Sequence, residues 1–328
     1  MQKCYASIVG TGAWVPETVL SNSDLEKMLD TNSEWIIERT GIAERRILSE
    51  EGKGVSFMAV NAVKDLLNNT GCSPKDIEVL ILTTVNSDYK FPSSASLVCR
   101  DAGLTNAYGF DINATCSGFI YALEIARRYI ESGAYKNIIV VSTEKMSSVT
   151  DYADRSSSIL FGDGAAAVLL QSSQKNGIID ILLKTDGQGA MNIIAKDGGS
   201  ANPITAESLT QGGQYFKQEG KVVFKHAVVG METACRDILM RNGLETSAIQ
   251  WVIAHQANMR IIESVAQRLG IPMEKMLVNI QKYGNTSSAS IPLCLHDYRN
   301  SIKPGDKLLF TAFGAGYTWG AVLMTWGK

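Results

Sequence analysis

Among six cysteines and three histidines in 328 residues, few stand where chemistry could be done. Cys116 lies in "FDINATCSGFIYALEIARRYI", residues 110–130, where a strand-like run gives way to a helix-like one. Its neighbours Ala114, Thr115, Ser117 and Gly118 are small and leave room for a substrate. A thiol at a helix N-terminus meets the positive end of the helix dipole and free N–H groups. Both favour the thiolate, the reactive form. A backbone N–H of the same turn can face the oxyanion formed on attack. The competing reading is a small residue packed under a turn. His255 closes the buried apolar run "WVIAH", and "QANMR" then opens a helix; a polar strand end is its plainer reading. His226 and His296 fall within helical patterns and read as packing or surface residues. Asn285 lies in the loop "YGNTSSAS". Cys, His and Asn together can perform acyl transfer, one as nucleophile and the others polarising a carbonyl or moving a proton.

Something must bring these distant residues together, and the sequence contains a repeat that could. "AVKDLLNNTGCSPKDIEVLI" (62–81) aligns without a gap on "ACRDILMRNGLETSAIQWVI" (234–253), 172 residues on, with six of twenty positions identical. Each copy reads as an amphipathic helix, a glycine stop and a buried strand. "KNIIVVSTE" (136–144) matches "DKLLFTAFG" (306–314), and "GAAAVLLQ" (164–171) matches "GAVLMTW" (320–326), in the same order. The reading is a duplicated α/β unit with its boundary in the polar stretch 171–177, giving halves 1–174 and 175–328. Alternating strands and helices predict a largely parallel sheet covered on both faces, with sites at the strand C-terminal ends. Matching loops of the two halves would meet there.

Other signals are weaker. "GDGAAA" (162–167) fits a dinucleotide fingerprint, but a strand follows where a helix is required. "GTGAWVP" (10–16) reads as the end of a first strand and a turn. "FGAGYTWG" (313–320) suggests close backbone approach beside a reacting centre. The cysteines form no CxxC pair, so neither a zinc site nor a disulfide framework is expected. A net charge of −2 leaves no broad footprint for nucleic acid, and the longest apolar runs are too short to cross a membrane. A soluble cytoplasmic protein without a signal peptide is the expectation.

Several of these stretches, "TCSGF", "HQAN", "GNTSSAS", "FGAGYTWG", "SEWIIERTGIAERR" (33–46) and "FGDGAAA", together resemble the β-ketoacyl-acyl-carrier-protein synthase III family. The resemblance runs the length of the chain, in order. It implies a thiolase-like fold, a duplicated αβαβα five-layer architecture. It implies that Cys116, His255 and Asn285 are catalytic, with the N–H groups of Cys116 and Ala315 as the oxyanion hole. Trp35, Arg39 and Arg155 would hold the CoA adenine, and Phe224 and Asn258 the pantetheine. Gln256, Ala257, Asn258, Met259 and Arg260 would contact the acyl carrier protein. Phe313 would line the acyl pocket, and Phe91 would reach across a homodimer interface to floor it. Acyl-CoA and malonyl-acyl-carrier protein would be substrates, with no cofactor or metal.

The sequence departs from the family pattern in two places. Gly-Ala-Gly follows Phe313 where three glycines are common, and residues 187–218 are longer than typical, which leaves primer length open. A starter-unit ketosynthase of a polyketide or quinolone pathway would use the same three residues. Hydroxymethylglutaryl-CoA synthase would want a glutamate acid/base that these motifs do not show. A papain-like hydrolase would not need the repeat, and its cysteine signature is absent. A non-catalytic scaffold would be expected to lose one of the three residues.

Overall fold

The computed structural model describes residues 4–327. Nine strands form the two main sheets: β1 (Tyr5–Trp14), β2 (Val79–Thr83), β3 (Tyr108–Ile112), β4 (Ile138–Lys145), β5 (Asp163–Ser173), β6 (Gly177–Thr185), β7 (Trp251–Ala254), β8 (Lys307–Gly314) and β9 (Thr318–Thr325). Six helices matter to the site: α1 (Ser33–Thr40), α2 (Val55–Thr70), α3 (Gly118–Glu131), α4 (Gly220–Arg241), α5 (Met259–Leu269) and α6 (Ser290–Tyr298). The first sheet runs β1-β5-β4-β2-β3 and the second β7-β8-β9-β6.

Strand periodicity of two builds the layers. In β2, Val79 and Ile81 face a core shared with α3 and α6, whereas Leu80 and Leu82 face α2. In the second sheet Ile253, Leu308 and Phe310 join that shared core, while Val252, Ala254 and Leu309 face α4 and α5. Helices therefore lie outside each sheet and between the two, which makes five layers.

The repeat is structural. Helix α2 ends at Gly71 (φ 68°), and Gly243 (φ 65°) follows α4. Short 3-10 turns follow at Pro74–Asp76 and Thr246–Ala248. Ile81 pairs with Val140 in one sheet, and Ile253 with Phe310 in the other.

Two expectations are corrected. The sheets are mixed rather than largely parallel: β5 pairs antiparallel with both β1 and β4, and β9 with both β8 and β6. Strand β1 does not stop at its glycines but continues through Gly10 and Gly12 to Trp14. A Cβ on Gly12 would lie 2.2 Å from Leu66 N and 2.4 Å from Ala62 O. These glycines let α2 lie against the strand; they do not end it.

Candidate active site

Cys116 sits in a 3-10 turn, Thr115–Ser117, between β3 and α3. Thr115 has φ 49°, a left-handed conformation rarely adopted outside glycine. Hydrogen bonds across the two halves hold it. Thr115 Oγ1 donates to Ala315 O at 3.2 Å, Ser117 Oγ to Thr318 O at 2.9 Å, and Thr318 Oγ1 to Ala114 O at 3.1 Å. A side chain on Gly314 would come within 2.9 Å of Cys116 N, so the glycine keeps that N–H clear.

The thiol differs from the expectation. Cys116 is half-buried in the wall of a cavity, and burial pushes it up to about 12, opposed by the neighbouring Ser287 hydroxyl and its own N–H. Desolvation outweighs the helix terminus, so the resting thiol is protonated.

His255, at the end of β7, is buried, and its N–H bonds Thr311 O at 2.8 Å. Desolvation pulls its imidazole down to about 3, so it is neutral. Ser290 Oγ accepts the Gln256 N–H at 3.2 Å and lies 2.7 Å from His255 Nδ1. Among the described residues the Ser290 hydroxyl hydrogen has no other acceptor than Nδ1, so it is assigned there, which places the imidazole hydrogen on Nε2. Asn285 is fixed by similar logic. Its Oδ1 accepts the Ser287 N–H at 2.9 Å, which leaves Nδ2 as the donor for the cavity. Its backbone bridges Leu160 and Gly162.

Cys116, His255 and Asn285 line one cavity of about 890 Å³, together with Phe313 and Ala315. Ile193, Ile194, Phe216 and Gln218, from the 187–218 excursion, wall another part of it. Trp35, Arg39, Phe224, Ala257, Asn258 and Arg260 line it as well. The Arg39 and Arg155 guanidiniums lie 5.5 and 4.9 Å from the Trp35 ring centroid, and Arg260 lies 5.8 Å from that of Phe224. Asn258 caps α5 through Arg260 N and donates to Arg39 O at 3.1 Å. Phe91 is 86% exposed, beside exposed Tyr89.

Gln256 does not fit a carrier-contact role. It is 1% exposed, its Nε2 donates to Ala254 O, and its Oε1 accepts from Asn279 N. Met259 is half-buried against the cluster beneath Trp35. Sequence reasoning missed Ser290 and Ser287. Extending the 172-residue offset would have pointed to both, since it lays "INATCSG" on "GNTSSAS".

A cysteine sharing one cavity with two neutral donors, where two copies of one unit meet, suits carbon–carbon bond formation on an enzyme-held acyl group, the work of thiolase-like condensing enzymes. Comparison with known proteins narrows the class. The family model 3-oxoacyl-[acyl-carrier-protein] synthase III matches residues 110–187, and its C-terminal counterpart matches 239–326. Beta-ketoacyl-[acyl-carrier-protein] synthase III of Porphyromonas gingivalis is 51% identical, over 99% of this chain and 98% of that one. The crystal structure of 3-oxoacyl-[acyl-carrier-protein] synthase III from Aquifex aeolicus VF5 superposes with TM-score 0.90 at 42% identity, covering 98% and 100% of the two chains. The priming beta-ketosynthase of the R1128 polyketide biosynthetic pathway superposes with TM-score 0.91 at 32% identity, covering 100% and 98%. The chain belongs to the 3-oxoacyl-[acyl-carrier-protein] synthase III family.

Proposed function

We propose that this chain condenses an acyl-CoA primer, acetyl or short branched, with malonyl-acyl-carrier protein, the step that initiates type II fatty acid synthesis. The observation that carries the reading is the pair of neutral donors, His255 Nε2 and Asn285 Nδ2, in one cavity with Cys116. Cys116 attacks the acyl-CoA thioester; the acyl–sulfur bond to CoA breaks, and CoA leaves as its thiol. The acyl-enzyme then meets malonyl-acyl-carrier protein. The two donors bond its thioester oxygen, where charge gathers as CO2 is lost. An enolate needs donors more than it needs a base, which suits an imidazole that burial keeps neutral. The carbanion attacks the acyl-Cys116 carbonyl, whose oxygen takes the N–H groups of Cys116 and Ala315. Free enzyme and a 3-oxoacyl-carrier product result.

Trp35 with Arg39 and Arg155 stands at the cavity as a flat cationic clamp for adenine, with Phe224 and Asn258 along the pantetheine. Ala257 to Arg260 offer the half-buried and exposed rim for the acidic carrier. Exposed Phe91, which does not line this chain's own cavity, floors the partner's acyl pocket in a homodimer. The working compartment is the cytoplasm. A specialised starter ketosynthase is the second reading, favoured by the R1128 likeness; the higher identity to the Aquifex enzyme ranks it below the first.

Intact mass spectrometry across a panel of acyl-CoA primers tests this, with Cys116→Ala as control. Acetyl or short branched labelling, lost in the variant and cleared by malonyl-acyl-carrier protein, is the expected result. Labelling by long or aromatic primers alone moves the chain to the second reading. No labelling by any primer overturns both.

A further inference from the structure

The duplication implies a second copy of the nucleophile turn, and the structure contains it. Ser287–Ala289 is a 3-10 turn at the head of α6, as Thr115–Ser117 is at the head of α3. Ser287 has φ 50°, matching 49° at Thr115. The counterpart of Cys116 is Ser288. The counterpart of His255 is Thr83, whose Oγ1 lies 3.0 Å from Ser288 Oγ. Sheet register fixes one more pair: since Ile81–Val140 corresponds to Ile253–Phe310, four residues further on Glu144 corresponds to Gly314.

That last pair is where the copies part. In the active copy Gly314 leaves the Cys116 N–H clear. In the other, Glu144 occupies the same place with a carboxylate and is fully buried. Its Oε1 accepts from Ser288 N at 3.3 Å, Ser288 Oγ at 2.6 Å and Ser287 Oγ at 3.1 Å. Its Oε2 accepts from Val85 N at 3.0 Å and Thr84 Oγ1 at 3.3 Å. The Ser288 N–H, counterpart of the Cys116 N–H that would meet an oxyanion in the active copy, is taken up here by a fixed side chain.

We propose that Glu144 is a positioning residue for condensation: by filling the closed copy of the nucleophile turn, it holds Ser287 and, through the Ser287 N–H, the amide of Asn285. The inference rests on the condensing-enzyme reading and adds a residue that touches no substrate. Each oxygen accepts a backbone N–H, Oε1 that of Ser288 and Oε2 that of Val85, so two acceptor oxygens are needed whether or not the acid carries its proton. A glutamine has one, and its NH2 must oppose either the Ser288 N–H or the Val85 N–H. The turn that carries Asn285 would shift most; Cys116 sits on the other turn, laced to Ala315 and Thr318, and feels the change through the Ser287 hydroxyl beside it.

The test separates the two half-reactions in Glu144→Gln. Acyl loading is read by intact mass, and decarboxylation by CO2 release from malonyl-acyl-carrier protein. The expected result is decarboxylation slowed about 10- to 100-fold, with acyl loading affected about tenfold less. Equal loss of both, or no loss of decarboxylation, overturns the proposal. If Glu144→Gln does not fold, Ser288→Ala decides, because it removes one of the five contacts and keeps the carboxylate. It should show the same split at smaller size, and wild-type rates in both steps would overturn the proposal. Wild-type protein that neither loads nor decarboxylates would sink the condensing-enzyme reading instead.

Discussion

At the residue scale, the site is a set of hydrogen-bond decisions. His255 and Asn285 can each present a donor or an acceptor to the cavity, and a neighbour settles each choice. Ser290 points a hydroxyl at Nδ1, and the Ser287 N–H occupies Oδ1. Ser290→Ala frees Nδ1 and lets both the tautomer and the ring orientation drift. Condensation should fall about 10- to 100-fold, while acyl labelling of Cys116 persists. Single-turnover assays of the two steps check this, and an unchanged condensation rate would remove Ser290 from the account. That one cavity gathers Cys116, His255 and Asn285 was legible in the sequence because Cys116 precedes a helix, His255 closes a strand and Asn285 lies in a loop of small residues. The thiol's protonation was not, because helix-terminus arguments do not reveal how far the surrounding residues enclose the sulfur. Gln256 was misread for a related reason: adjacency to exposed residues says nothing about where an amide is already spent. Glu144 left one trace, a carboxylate at the end of the apolar run "IIVVSTE".

At the element scale, close approach decides where helices can lie. Gly12 sits under Leu66 and Ala62 of α2 with backbone as its nearest neighbour, so no side chain can give way. Gly12→Ala should destabilise the fold by about 1–3 kcal/mol or more. Denaturant midpoints would read it, and an unshifted midpoint would mean α2 slides freely on β1. The repeat was visible in its helix, glycine stop and strand because apolar periodicity and a left-handed stop survive sequence drift. The antiparallel neighbours of β5 and β9 were not visible. A buried strand is apolar on both faces whichever way its partners run. Among the described residues, the fifth strand of the first sheet, β3, has only the lone Val252–Met276 bridge as an echo in the second.

At the scale of the whole molecule, two buried titrating groups oppose each other. Unfolded, His255 takes its proton near its ordinary value of 6.5; folded, not until about 3. In that window the unfolded state holds more protons, so stability falls as pH drops. Glu144 keeps its proton up to about 7 when folded, against an ordinary 4.5. Its contribution therefore weakens as pH rises through 4.5 to 7, and the two trends offset each other over most of that range. His255→Gln removes one of them. Relative to the wild type, that variant should gain about 1.4 kcal/mol per pH unit as pH falls from 6.5 to 4.5. Chemical denaturation at several pH values would read it. A constant offset between the two proteins would mean that His255 is not held neutral by the fold.

The pairing of Glu144 with Gly314 also bears on ancestry. A single unit meeting its own copy across a two-fold axis must present identical surfaces, and so two equivalent centres. Joining the copies in one chain lifts that constraint, and each position becomes free to change without its twin. One strand end could then shed its side chain while the other acquired a charge. The nucleophile and the two donors proposed to help it accordingly stand on different copies. An engineered return to symmetry, with glycine at both strand ends, would uncover the Ser288 N–H without making a second centre, because Ser288 offers a hydroxyl in place of a thiol and Thr83 no imidazole.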